Sequence, residues 1–148
     1  MSDGVIQNAG RIGEGLLSTL LDLLPDYFYV ADADMRLVYV NKTAAEYFQV
    51  PNHQIVGKAF SEVEPDTDFA HRFANRGRQI IASGKPHVGD FGPYNEPDGT
   101  LSYYRRYDIP FRHPQTGEPM VMGLVQDMTD QVERERQQRQ LAALDREM

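Results

Sequence analysis

The sequence predicts an α+β domain built around a mainly antiparallel, five-stranded sheet. Two short aromatic and β-branched segments stand near the amino end and three longer ones near the carboxyl end, with helical patterns between them. Strands grouped at both ends with helices gathered between them are typical of this class. The 148 residues fit one domain, and an apolar fraction of 41% is enough for one ordinary core.

Composition and charge exclude several classes of function. Fifteen Lys and Arg residues stand against 22 Asp and Glu residues, whereas nucleic-acid binders normally carry a basic patch. The absence of cysteine excludes disulfides, thiolate metal sites, cysteine nucleophiles and photochemistry through a cysteine adduct. The longest apolar cluster, residues 16–24, is too short to span a membrane and lacks the flanks of a signal peptide. We therefore expect a soluble, cytoplasmic protein without a nucleic-acid partner.

An amphipathic helix is expected near the amino end, after a polar and Gly-rich stretch over residues 1–11. Pro25 ends an apolar stripe at helical spacing that consists of Ile12, Leu16, Leu17, Leu20, Leu21 and Leu24. So short a helix needs a partner surface, either the domain's own sheet or the same helix of a second subunit. The candidate contacts of a homodimer are Leu16, Leu17, Leu20 and Leu21.

Two strands and two short helices are expected next. The strands and the turn that joins them fall at residues 27–30, 37–40 and 32–34. Asn41 is a suitable N-cap for a helix over residues 43–48. A second short helix near residues 53–56 ends at Gly57, where a left-handed cap residue is expected.

The longest interior helix is predicted over residues 69–82, between polar residues at 66–68 and the breaker sequence at 83–86. Three strands follow it, separated by Pro- and Gly-containing turns, and are expected at residues 87–91, 101–111 and 120–126.

From Asp130 the composition changes to Glu, Arg and Gln, which favours a helix that leaves the domain over residues 130–148. Asp130 and Glu133 resemble a capping box at its start. Because the sequence stops within this pattern, we expect it to be a segment of a longer protein.

The order of these elements and several local sequences resemble the PAS domain family. The matching sequences are Pro25-Asp26, the turn at 32–34, and the stretches at 38–41, 56–58, 83–86, 98–99, 109–110 and 123–129. The last is the most specific, because Asp127-Met128-Thr129 matches the Asp-x-Thr motif with which PAS domains continue into a signalling helix. The resemblance divides the chain into a leading segment, a PAS domain and a signalling helix at residues 1–24, 25–129 and 130–148.

The resemblance implies a sensor that perceives a small molecule or a redox or gas cue, as a homodimer. It also implies relay to an output domain in the same protein, either a histidine kinase of a two-component system or a cyclic-dinucleotide enzyme such as a diguanylate cyclase. Asp127 and Thr129 would fix the exit angle of the helix by bonding local backbone groups. The segment itself is not expected to be an enzyme, because it has no phosphate-binding loop, nucleophile elbow or cysteine nucleophile.

Part of a candidate ligand pocket lies on the long predicted helix. Phe69, Phe73 and Ile80 share one helix face, and Arg76 falls between them. The same pattern equally describes side chains of an ordinary packed core.

The strand over residues 101–111 supplies the rest of the candidate pocket. Alternation separates its side chains into two faces, one with Tyr103, Arg105 and Tyr107, the other with Tyr104, Arg106 and Asp108. Both faces carry an arginine, so the sequence leaves open which one is inward. An inward guanidinium among aromatic rings suits a planar or carboxylated ligand.

Two alternatives to a small-molecule sensor remain open. One is a ligand-free module that only dimerises or assembles partners, and it would have a fully packed interior. The other is a haem-based gas sensor, which would need His71 as the iron ligand. By helix angle His71 lies about 200° from Phe69, which favours a surface position. No other metal site is expected, and a flavin has no motif here but stays open.

Overall fold

The computed structural model describes residues 15–147 and consists of one antiparallel sheet with helices. The helices are α1 (residues 15–23), α2 (Lys42–Phe48), α3 (Asn52–Ile55), α4 (Phe60–Val63), α5 (Thr67–Ser83) and α6 (Thr129–Glu147). The strands are β1 (Tyr27–Asp32), β2 (Leu37–Val40), β3 (His87–Asn95), β4 (Leu101–Arg112) and β5 (Pro119–Asp127).

The strand order is β2-β1-β5-β4-β3, and every neighbouring pair is antiparallel. The last strand therefore lies at the centre, between the hairpin that opens the domain and the hairpin that precedes β5. This order confirms the predicted fold class. Helix α5 contacts β4 and β5, and we call the sheet face that it covers the inner face.

Most predicted elements are confirmed, and the differences have local causes. Helix α4 was not predicted, because four residues give no periodicity to detect. Strand β3 runs beyond Phe91 through a register shift at the Gly-Pro pair, which reads as a turn in the sequence. The prediction of a capping box at Asp130 and Glu133 is wrong, because α6 already begins at Thr129 and Asp130 therefore lies within the helix. The predicted loose end at residues 1–11, Ile12 of the leucine stripe and Met148 lie outside the described residues.

Asn41 joins the leading helix to the sheet, and it is completely buried. Its Oδ1 accepts from the backbone N–H groups of Phe28 and Ala44, which confirms its predicted role as the N-cap of α2. Its Nδ2 donates to the carbonyls of Leu21 and Asp26, at 2.9 Å each. All four hydrogen-bonding positions of the amide are therefore used. This side chain, together with the bond from the Lys42 N–H to Asp22, fixes the carboxyl end of α1 to the start of the domain.

Two glycines make room for large side chains in the interior. A Cβ at Gly77 of α5 would overlap the thioether of Met35, which is buried at 2% exposure. A Cβ at Gly123 of β5 would overlap the ring of Tyr29 on β1. Because Gly123 lies directly opposite Tyr29 in the β1–β5 register, the ring crosses over β5 toward β4. A larger residue at position 123 would close this path.

We expect Gly123→Ala to destabilise the fold by roughly 1–3 kcal/mol, because the added methyl group must displace the Tyr29 ring. Urea unfolding measures the change. Gly15→Ala is the control, since a Cβ there meets nothing within 4 Å and alanine favours the helix. Equal stability of the wild-type and Gly123→Ala proteins would contradict the close contact.

Candidate functional site

A buried ion pair with a tyrosine lies at the centre of the inner face. Arg106 and Asp108 point to this face from β4, and their side chains are 7% and 0% exposed. The Arg106 Nε lies 3.0 Å from both carboxylate oxygens of Asp108. The Tyr29 phenol donates to Asp108 Oδ1 at 3.2 Å and accepts from Arg106 Nη2 at 2.9 Å. The three side chains link β1 to β4 across the intervening strand β5, where Gly123 leaves room.

The protonation states follow from burial and charge. Burial raises the pKa of the Tyr29 phenol well above its ordinary value, so the phenol is neutral and can donate to Asp108. Burial alone would lower the pKa of Arg106, but Tyr29 and Asp108 beside it raise that pKa overall. The guanidinium therefore stays charged, and the buried charges neutralise each other.

Aromatic rings from α4 and α5 pack on the side of Arg106 that faces the helices. Its guanidinium carbon lies 5.2 Å from the ring centre of Phe73 on α5, within the range of a cation–π contact. Phe73 is stacked on Phe60 of α4 at 3.9 Å and lies 5.0 Å from the Tyr29 ring. Phe69 is partly buried against the same cluster, 5.6 Å from Phe60. The candidate site is thus a buried cation enclosed by a carboxylate, a phenol and phenyl rings.

The structure brings together some of the predicted pocket residues and separates others. Phe73, Ile80 and Arg106 are buried in the interior, at 5%, 8% and 5% exposure. The prediction for Arg76 is wrong, because it is exposed on the solvent side of α5.

The burial pattern of β4 distinguishes its two faces. Tyr103, Arg105 and Tyr107 alternate with the buried residues of β4 and so lie on the opposite, outer face, where they do not line the interior. Arg105 instead pairs with Asp90 of β3 on the surface, with Nε and Oδ1 2.7 Å apart.

The sequence predicts neither Tyr29 and Phe60 as site residues nor the burial of Glu64. Glu64 is 8% exposed, and its carboxylate accepts from the Tyr47 phenol at 3.5 Å and from the Asp66 N–H at 3.2 Å. The pattern that identifies Tyr29 is its alignment with the small residue Gly123 and the acidic Asp108 on the two neighbouring strands. That alignment needs the strand order, which the sequence alone does not provide.

The junction between β5 and α6 is held by hydrogen bonds to β4. Asp127 Oδ1 accepts from the Thr129 N–H at 2.9 Å. Thr129 Oγ1 accepts from the backbone N–H of Tyr103 at 3.1 Å, and the Met128 N–H donates to the Tyr103 carbonyl at 2.7 Å. The two residues predicted to act as a relay thus fix the start of α6 to the strand that carries Arg106.

Further observations bear on cofactors and membranes. His71 is exposed on α5, so its imidazole does not face the interior, and the geometry gives a haem no support. Within residues 15–147 no cluster of three or more His, Asp or Glu residues is arranged to hold a metal ion. No helix in this part of the chain is long and apolar enough to cross a bilayer.

We expect Asp108→Asn to destabilise the protein by about 3–5 kcal/mol, because it leaves the Arg106 charge buried without a counter-charge. Asp90→Asn is the matched control, since it removes the carboxylate of an exposed arginine–aspartate pair that joins β3 to β4. Thermal and urea unfolding compare the two variants. A loss of stability at Asp108 no larger than that at Asp90 would contradict the buried network.

Known proteins share this fold and parts of this sequence. The chain is 24% identical over 119 residues to the methanogenesis regulatory histidine kinase FilI of Methanothrix harundinacea. That match covers 80% of this chain but only 13% of FilI. The PAS domain of Bordetella pertussis BvgS is 21% identical, with a TM-score of 0.64 over 92% of this chain and 98% of that one.

VqmA is another relative of known structure. The Vibrio cholerae VqmA dimer is 27% identical, with a TM-score of 0.62, over 76% of this chain and 50% of that one. VqmA bound to DPO is 26% identical, with a TM-score of 0.60, over 74% of this chain and 55% of that one. The family model described as the PAS fold matches residues 21–133, which is most of the chain. The chain therefore belongs to the PAS domain family.

Proposed function

We propose that this PAS domain is the sensory module of a signal-transduction protein, which binds a small molecule at the inner face and relays binding through α6. The observation that carries the proposal is the connection made by β4. This strand presents Arg106 to the interior and holds Thr129 at the start of α6 through Tyr103. A displacement of β4 at the ligand site therefore changes the position from which the helix leaves.

The chemistry around Arg106 favours a planar or carboxylated ligand. Among the described residues, only Nε and Nη2 of this guanidinium have hydrogen-bond partners, so Nη1 can donate to an incoming acceptor. Because the side chain is only 7% exposed, a ligand reaches it by displacing a neighbouring ring. Binding is thereby coupled to a rearrangement of Phe73 or Tyr29, and so to β4.

Relatives support this function. FilI is a regulatory histidine kinase, and VqmA has been observed both as a dimer and bound to DPO. We assign this domain an output partner in the same protein, a histidine kinase or a cyclic-dinucleotide enzyme, to which α6 leads.

Self-association through α1 completes the proposal. Leu16, Leu17 and Leu20 are 54%, 58% and 51% exposed, and Leu23 is 74% exposed. Leu21 is partly buried, and its carbonyl accepts from Asn41, so it belongs to the attachment of α1 rather than to its free face. A homodimer would cover the exposed leucines.

A ligand-free assembly module is the second candidate. It is favoured by the inner face itself, where Arg106 already has a carboxylate, a phenol and an aromatic ring as partners. The deciding experiment is native mass spectrometry and absorbance of the protein as purified, with identification of any molecule released on denaturation. A stoichiometric small molecule lost in Arg106→Met supports the sensor, whereas a ligand-free dimer that takes up nothing from a metabolite extract supports the assembly module.

We expect Thr129→Val to uncouple output from sensing, because valine keeps the shape of threonine but cannot accept from the Tyr103 N–H. The measurement is output activity of the full-length protein with and without cell extract, beside ligand content. Thr100→Val is the control, since the Thr100 hydroxyl contacts Asp98 in an exposed turn. A normal response in Thr129→Val would contradict the relay through this junction.

We expect the double substitution Leu16→Glu and Leu20→Glu to shift the protein toward monomer, because it places charge on the exposed stripe of α1. Sedimentation velocity over a concentration series measures the shift. Leu141→Glu and Leu144→Glu on α6 form the control, since these leucines are similarly exposed at 62% and 59%. An unchanged dimer in the α1 variant would exclude this helix as the contact.

A further inference from the structure

We propose that Tyr103 is a positioning residue for the signalling helix, and that its phenol fixes the direction of α6 by holding Arg136. This inference rests on the proposed relay function. It adds to the Asp-x-Thr junction a side-chain contact farther along the helix.

Three groups of Tyr103 contact α6 and the residue before it. Its backbone N–H and carbonyl bind Thr129 and Met128 at the junction, at 3.1 and 2.7 Å. Its phenol oxygen accepts from Arg136 Nη2 at 3.0 Å. Arg136 lies about two helical turns beyond Thr129. One point of attachment allows a helix to pivot, whereas a second point along its axis sets its direction.

Few other contacts hold this part of α6. No residue of the described helix is buried. A groove of about 230 Å³ lies beside its first turns, lined by Asp90 and Arg105 of the sheet and by Val132 and Glu135 of α6. Because the helix is not closely packed on the strands here, its hydrogen bonds to Tyr103 carry a large share of the attachment.

Tyr103 lies on the same strand as Arg106, so a movement of the strand at the inner face also moves Tyr103. Its neighbour Tyr104 stacks on Phe91 at 5.5 Å. Arg106 lies two residues after Tyr104 on the same strand. Successive side chains of β4 point to opposite faces. A shift or twist of β4 imposed at Arg106 therefore moves the backbone and the phenol of Tyr103 together, and α6 follows.

Amide hydrogen exchange of residues 129–138 in the 148-residue chain tests the contact. We expect Tyr103→Phe and Arg136→Gln each to accelerate exchange by about three- to tenfold, the effect of losing one hydrogen bond. Arg136 also pairs with Glu133 of its own helix at 3.7 Å, so Arg136→Gln can exceed Tyr103→Phe in its effect. The double variant should exchange no faster than Arg136→Gln alone, because that substitution has already removed the only contact that Tyr103→Phe removes from α6. Additive effects would overturn the proposal.

Two control variants separate this contact from general loosening. Tyr107→Phe removes a phenol from the same face of β4. Arg134→Gln removes a guanidinium that, among residues 15–147, bonds only to its own helix, at the Asp130 carbonyl. Both should leave exchange at residues 129–138 unchanged. Acceleration by Tyr107→Phe equal to that by Tyr103→Phe would overturn the proposal.

A change at the inner face tests the positioning role. Tyr29→Phe removes the phenol that bridges Arg106 and Asp108, and we expect it to alter exchange in α6 by at least twofold. In a Tyr103→Phe background this transmitted change should fall by more than half. If it persists undiminished, Tyr103 is not the positioning residue, although the relay stands. If Tyr29→Phe leaves α6 unchanged, the proposed relay itself fails. Arg106→Lys provides the same test should Tyr29→Phe not fold.

Discussion

The interior of this domain depends on a charge that has been removed from water. Arg106 can be buried only because Asp108 neutralises it and Tyr29 bonds to both partners. The same network requires a glycine at position 123, since the Tyr29 ring crosses β5 at that residue to reach β4. The position of β1 relative to β4 is therefore specified by directional bonds, whereas apolar packing alone would tolerate small slips.

Both flanking helices are attached to this sheet by hydrogen bonds rather than by burial. At the amino end, Asn41 binds the last turn of α1, and Asp22 of that helix accepts from the Lys42 N–H. At the carboxyl end, Thr129 and Arg136 bind Tyr103. Such bonds act at defined points and angles, which suits the proposed relay from strand to helix. Their apolar side chains remain exposed for other contacts.

The sequence predicts the fold more completely than the site, for reasons visible in particular residues. Side-chain alternation and turn residues place the strands, and the N-cap at Asn41 follows from its local chemistry. The inward face of β4 is ambiguous, because each face carries tyrosine and arginine. The partners of each arginine decide it: Arg106 bonds to Asp108 and to Tyr29 in the interior, whereas Arg105 pairs with the exposed Asp90. Helical spacing alone also put Arg76 too close to the interior.

The contact between Tyr103 and Arg136 has a consequence for whatever follows the helix. The contacts with Tyr103 fix the direction and rotation of α6 relative to the sheet. The orientation of a segment joined to the helix therefore depends on the number of helical residues between that segment and these contacts. Each residue added to the helix turns that segment by about 100° and moves it by about 1.5 Å. Under the proposed relay function, the number of residues between this domain and its output domain sets their relative rotation. We then expect a linker of altered length to invert or silence the signal although every contact within the PAS domain is unchanged.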